Sequence, residues 1–255
     1  MYIIIPMPLN YTVKGQGKKN IVLLHGWGGS LASLQRLQDE LGKSENYRIF
    51  NVEWPGFGES AFPTNKAFTI EEYVSALELF LTNNGLEKPI LVGHSFGGKV
   101  AMAYAIKNAD RVGSLILINS SGLKPQNTLK RYALWLPTKI FGGILSLPLL
   151  KRIKNPIRRG YYKLIVREHD YLTSETLQAT LKNILKVNLD KDVHKIGVDT
   201  LLIWGEKDKY TPLWMGQKLS TLIPNSRLEV IKDAKHNLPL INPSIVASMI
   251  RLYIK

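Results

Sequence analysis

Short apolar runs recur along the chain, and between them apolar residues return at helical spacing. Ile21-Val22-Leu23-Leu24, Ile90-Leu91-Val92, Val112 to Ile118 and Thr200-Leu201-Leu202-Ile203-Trp204 are continuous rather than alternating. Runs of that kind mark strands covered on both faces. Tyr47 to Glu53 and Arg227 to Ile231 read as two more strands. Between them, Leu31, Leu34, Leu37 and Leu41 fall on one helical face, behind a capping serine at position 30. A second helix runs from about Thr69 to Asn83, with Glu71 and Glu72 in its first turn, and Gly85 stops it. Helices are also predicted after Ser95 as far as Asn108, from Pro212 to Ile223 and from Pro243 to Ile254. Strand and helix alternate, which predicts the α/β class: a mostly parallel sheet with helices on both faces. At the start, residues 2–5 and 9–14 read as a hairpin around Pro6-Met7-Pro8.

The alternation breaks at Ser121 and resumes after Asp190. The interval contains Pro137, Gly142-Gly143 and Pro148 as disruptors and a predicted helix around Ser174 to Val187. It reads as a helical cap insertion, residues 121–190, interrupting a core made of residues 1–120 and 191–255. The chain of 255 residues carries a net charge of +14, and the interval holds 13 Lys/Arg against 4 Asp/Glu, so nine of those charges lie in it. Within it the apolar stretch Tyr132 to Leu150 is followed at once by Lys151, Arg152, Lys154, Arg158 and Arg159. A basic cap of that kind predicts weak contact with anionic membrane surfaces or acidic substrates. No nucleic-acid-binding signature accompanies the charge, and no nucleic-acid partner is expected. The absence of cysteine removes disulfides, thiolate metal sites and a cysteine nucleophile together. The opening residues lack a basic leader and read as a strand, and the cytoplasm is the expected location.

The chemistry is concentrated at Gly93-His94-Ser95-Phe96-Gly97-Gly98. A serine held on a sharp turn between a strand and a helix is exposed and strained. Residues two positions to either side of it must be small to avoid collision. The helix that follows directs its amides and positive dipole end at the same point. A serine nucleophile needs a histidine base, and the base needs an orienting carboxylate. In a parallel sheet these come from loops at the carboxyl ends of strands. Asp208 follows one such strand and His236 another. Glu206 competes with Asp208 and reads as a solvated loop charge. His25 and His94 sit in tight glycine turns, and His169 and His194 lie in or beside the insertion, so none of these fits as well as His236. A tetrahedral intermediate needs two main-chain donors. Phe96, just after the serine, and Trp27, in His25-Gly26-Trp27-Gly28, are placed to provide an oxyanion hole. Trp135, Phe141 and Tyr161 are candidates for the substrate pocket. The glycine-rich stretch Trp54 to Ser60 lacks the spacing of a phosphate-binding loop.

Together, His25-Gly26-Trp27-Gly28, Pro55-Gly56-Phe57-Gly58-Glu59-Ser60, the serine turn, Gly205-Glu206-Lys207-Asp208 and His236 resemble the landmarks of the α/β-hydrolase superfamily, in order and over nearly the whole chain. Glu53-Trp54 departs from the pattern, where an aspartate and an aliphatic residue are more usual. The resemblance implies a serine hydrolase of small-molecule carboxylic esters working through an acyl-enzyme, with neither cofactor nor metal. It leaves two alternatives open. One is a C–C bond hydrolase acting on a diketone-like acid, and the other is a ligand-binding receptor of the same fold with slow turnover. Serine rather than aspartate at position 95 argues against a dehalogenase.

Overall fold

A computed structural model describes residues 8–63, 66–124 and 174–254. Seven strands form one sheet: β1 (Tyr11–Lys14), β2 (Lys19–Leu24), β3 (Tyr47–Val52), β4 (Ile90–His94), β5 (Ser114–Ile118), β6 (Thr200–Gly205) and β7 (Ser226–Ile231). Their order across the sheet is β1-β3-β2-β4-β5-β6-β7. Every pairing is parallel except that of β1 with β3. Of the hairpin expected at the start, residues 2–5 lie outside the described residues. The second strand pairs with β3, Tyr11 opposite Val52 and Lys14 opposite Ile49.

The continuous apolar runs are explained by two cores, one on each face. Ile21 and Leu23 of β2 join one core, and Val22 and Leu24 join the other. β5 divides in the same way, with Leu115 and Leu117 opposed to Ile116 and Ile118. One face is covered by α1 (Leu31–Leu41) and α7 (Pro243–Tyr253), which follows the short turn α6 (Leu238–Ile241). The other face is covered by α2 (Ile70–Asn83), α3 (Phe96–Lys107), α4 (Glu175–Lys186) and α5 (Leu213–Leu222). Both predicted N-termini carry capping bonds: the Ser30 amide donates to Ser33 Oγ at 3.1 Å, and the Thr69 amide to Glu72 Oε2 at 2.6 Å. Helix α3 is buried from Phe96 to Ala105, and Gly97 and Gly98 in its first turn leave no room for a Cβ.

Most of the expected cap, residues 125–173, lies outside the described residues. Its last helix, α4, packs into the core through Leu177 and Ile184. Lys99 fastens it from within. The side chain is 4% exposed, and its Nζ donates to the carbonyls of Ile184 at 2.6 Å and Val187 at 2.9 Å, at the end of α4. Burial pushes this ammonium down to about 8, with Lys124 adding to the effect. The carbonyl end of a helix favours a cation there. No helix among the described residues is long and apolar enough to cross a membrane.

Candidate active site

Strand order reverses between β2 and β4. The helices that follow these neighbouring strands, α1 and α3, cover opposite faces, and in open α/β sheets such a switch point is where a crevice forms at the carboxyl ends of the strands. Ser95 stands on one side of that crevice with φ of 52° and ψ of −112°, a left-handed backbone that costs on the order of 1–3 kcal/mol in a non-glycine residue. Its amide donates to Ile118 of β5 at 3.1 Å, which holds the turn in place. The small neighbours are required. A Cβ on Gly93 would lie 2.4 Å from Gly98 Cα, and one on Gly97 would lie 2.1 Å from the Leu24 carbonyl oxygen. The Phe96 amide opens helix α3 beside the serine, among the first-turn donors that no earlier turn of the helix can satisfy.

The loops after β6 and β7 bring Asp208 and His236 together. His236 Nδ1 donates to Asp208 Oδ2 at 2.7 Å. Asp208 Oδ1 accepts the amides of Tyr210 at 2.8 Å and Thr211 at 3.0 Å, and the Thr211 hydroxyl lies 2.8 Å from Oδ2. The carboxyl side chain is fully buried. Burial drives it upward, but the bond and charge of His236 and the bonds from Thr211 outweigh burial and hold it below the usual carboxylate range. It is therefore an ionised, fixed acceptor that keeps the imidazole proton on Nδ1 and leaves Nε2 free as a base. Glu206 is occupied elsewhere, accepting the Asp233 amide at 2.9 Å.

Trp27 and Phe96 come from the loops on the two sides of the crevice, and their rings meet at 5.3 Å, nearly edge to face. A Cβ on Gly26, next to Trp27, would stand 3.2 Å from Ser95 Cβ, so the loop after β2 passes directly against the serine. His25 anchors that loop. The Trp54 amide donates to His25 Nε2 at 3.0 Å, so Nδ1 carries the proton and donates to the Gly26 carbonyl at 2.7 Å. Burial pushes His25 down to about 4, and it stays neutral. The departure at Glu53-Trp54 acts on the same loop. Trp54 Nε1 donates to the His25 carbonyl at 3.0 Å, and Glu53 Oε1 accepts the Leu31 amide at 3.0 Å. Glu53 Oε2 also takes the Asn10 side chain at 2.9 Å and the Glu59 amide at 2.8 Å. The pair holds both ends of the loop after β2, a consequence the sequence pattern did not reveal.

Three further contacts escaped sequence reading. His94 Nε2 donates to the His236 carbonyl at 3.0 Å, and burial, with the charge of His236, pushes His94 down to about 3. The Asn119 side chain reaches the same carbonyl at 2.7 Å. Thr211 bridges toward Asp208. His94 lies inside the serine motif and Thr211 three residues beyond the acid, but Asn119 had no motif to mark it. Trp135, Phe141 and Tyr161, and the basic cluster from Lys151 to Arg159, lie outside the described residues.

The profile of the family described as "alpha/beta hydrolase fold" matches residues 19–142. The chain is 26% identical over 253 residues to a 2-hydroxy-6-oxononadienedioate/2-hydroxy-6-oxononatrienedioate hydrolase of Pseudomonas putida, covering 90% of this chain and 85% of that one. It is 28% identical over 243 residues to the pimeloyl-[acyl-carrier protein] methyl ester esterase of Vibrio cholerae, covering 90% and 91%. Among solved structures, a thermophilic esterase from Thermogutta terrifontis superposes with a TM-score of 0.73 at 23% identity, over 96% of this chain and 92% of that one.

Proposed function

The chain belongs to the α/β-hydrolase superfamily, and on that premise we propose that it is a serine hydrolase cleaving small carboxylic esters through Ser95, His236 and Asp208. The observation that carries the reading is the 2.7 Å bond from His236 Nδ1 to Asp208, set against a serine on a left-handed turn. Ser95 Oγ attacks the ester carbonyl, and its proton passes to His236 Nε2. Asp208 stabilises the imidazolium from the far side of the ring. The amides of Phe96 and Trp27 take the oxyanion, a contribution of roughly 3–4 kcal/mol per donor in such sites. The alcohol leaves with the proton from His236. Water then attacks the acyl-enzyme and gives its proton to His236, which passes it to Ser95 Oγ as the acyl–oxygen bond breaks, releasing the acid and the free serine.

The relative from Vibrio cholerae, named as an esterase, supports the ester reading. The relative from Pseudomonas putida is named for a hydroxy-oxo-dioate. That supports a second reading of the same groups, in which the bond cleaved is carbon–carbon beside the ketone of a keto diacid. A serine-directed phosphonate tests the shared machinery. It is expected to label wild type at Ser95, to fail on Ser95→Ala, and to leave the variant folded with no turnover. Labelling at another residue, with activity retained in Ser95→Ala, would overturn the assignment. A series of p-nitrophenyl esters beside a keto diacid separates the two substrate classes.

A further inference from the structure

Asn119 follows the last residue of β5 and has a φ of 43°, a left-handed backbone that asparagine accepts more readily than other non-glycine residues. The residue is fully buried. Its amide continues the ladder to β6, donating to Ile203 at 2.9 Å. The side chain turns to the loops beyond. Its oxygen accepts the Gly205 amide at 2.8 Å, where β6 ends and the loop to Asp208 begins. Its nitrogen donates to the carbonyls of Lys235 at 3.0 Å and His236 at 2.7 Å. The partners allow one orientation only, because a main-chain N–H must meet the oxygen and two carbonyls must meet the nitrogen. The Asn119 carbonyl lies 2.9 Å from the Thr211 hydroxyl, which has a single proton to share between it and Asp208.

We propose that Asn119 is a positioning residue for His236: its carboxamide, with the His94 ring as a second donor, grips the His236 carbonyl and locks the histidine loop to the acid loop. The inference rests on the triad reading given above. The consequence is mechanical. His236 must meet Asp208 with one ring nitrogen and Ser95 with the other, and its ring lies 4.9 Å from that of His94 and 5.1 Å from that of Tyr210. The ring can hold that pose only if its own main chain is held. Two donors on one carbonyl, from β4 and β5, fix it to the strands that carry and brace the serine. A displacement of about 1 Å at such a site costs on the order of 10²-fold in rate. An aspartate would set a second oxygen against two carbonyls and reverse the grip, so Asn119→Asp is predicted to be worse than Asn119→Ala.

The test compares Asn119→Ala, Asn119→Ser, Asn119→Asp and His94→Ala with wild type. The readouts are kcat, KM, the rate of phosphonate labelling at Ser95 and the downfield proton resonance of His236 Nδ1. Asn119→Ala is expected to lose about 10²-fold in kcat and in labelling rate with KM within about threefold, and to weaken the Nδ1 resonance. His94→Ala, which removes one of the two donors, is expected to lose about tenfold. If Asn119→Ala does not fold, Asn119→Ser and His94→Ala carry the comparison. A folded Asn119 variant with wild-type kcat and an unchanged resonance overturns the proposal and leaves Asn119 a satisfied buried amide. Failure of the phosphonate on wild type would instead refute the triad reading. In that case the resonance alone, retained or lost in the variants, decides whether Asn119 holds His236.

Discussion

Replacing Asp208 by asparagine changes one atom and conflicts with the geometry around it. Oδ1 accepts two main-chain amides and Oδ2 accepts His236 Nδ1, so the carboxylate serves three N–H donors on two oxygens. An amide has one oxygen. Keeping it toward Tyr210 and Thr211 directs its NH2 at His236 Nδ1. That nitrogen must then be bare, and the ring proton moves to Nε2, the atom that accepts the proton of Ser95 in the proposed mechanism. The predicted loss is about 10⁴-fold in kcat, or ~5 kcal/mol of transition-state stabilisation. The backbone around residue 208 keeps its two bonds, so the fold should survive. Steady-state hydrolysis of a p-nitrophenyl ester measures kcat, and phosphonate labelling reports the serine directly. Glu206→Gln is the control and should stay within about threefold of wild type, because Glu206 is engaged with the Asp233 amide. The pH dependence adds an independent check. Because the Asp208 carboxyl is held below the usual range, its contribution to stability is complete above about pH 4 and disappears as pH falls through its lowered value. The stability difference between wild type and Asp208→Asn should therefore shrink in acid. Activity of Asp208→Asn within tenfold of wild type, or a larger loss in Glu206→Gln, would refute the reasoning and move the acid to Glu206.

Glu53→Gln should destabilise the fold by about 1–3 kcal/mol in chemical denaturation, because a single oxygen cannot serve the Leu31 amide together with Asn10 and the Glu59 amide. A midpoint unchanged from wild type would show that the carboxyl group is dispensable for holding the loop after β2. Lys99, pushed down to about 8 from an ordinary 10.5, binds fewer protons in the folded than in the unfolded chain between those values. Stability due to it should rise as pH increases from about 8 to about 10.5, by up to ~3 kcal/mol before the opposing pull of the α4 carbonyls. Denaturation midpoints of wild type and Lys99→Met across that range check this, and parallel curves would contradict it.

Much of this protein is set by local pattern. Continuous apolar runs fall to two faces because side chains on a strand alternate, so β2, β4, β5 and β6 were readable from local pattern alone. The serine turn was readable because its glycines answer a collision within a few residues, now visible at Gly93 and Gly97. Asp208 and His236 followed from chain order, since each lies just past a strand. Other features depend on contacts that no window of sequence contains. β1 pairs with β3, far along the chain, and Glu53 reaches forward to Glu59 and back to Leu31 and Asn10. His25 and His94, set aside as turn residues, are neutral struts whose partners are Trp54 and His236. Asn119 meets Gly205 and His236 across 86 and 117 residues. Apolar burial is non-directional and can be read from periodicity. A hydrogen bond depends on where two distant atoms finally meet, and only the closed sheet brings them to that distance.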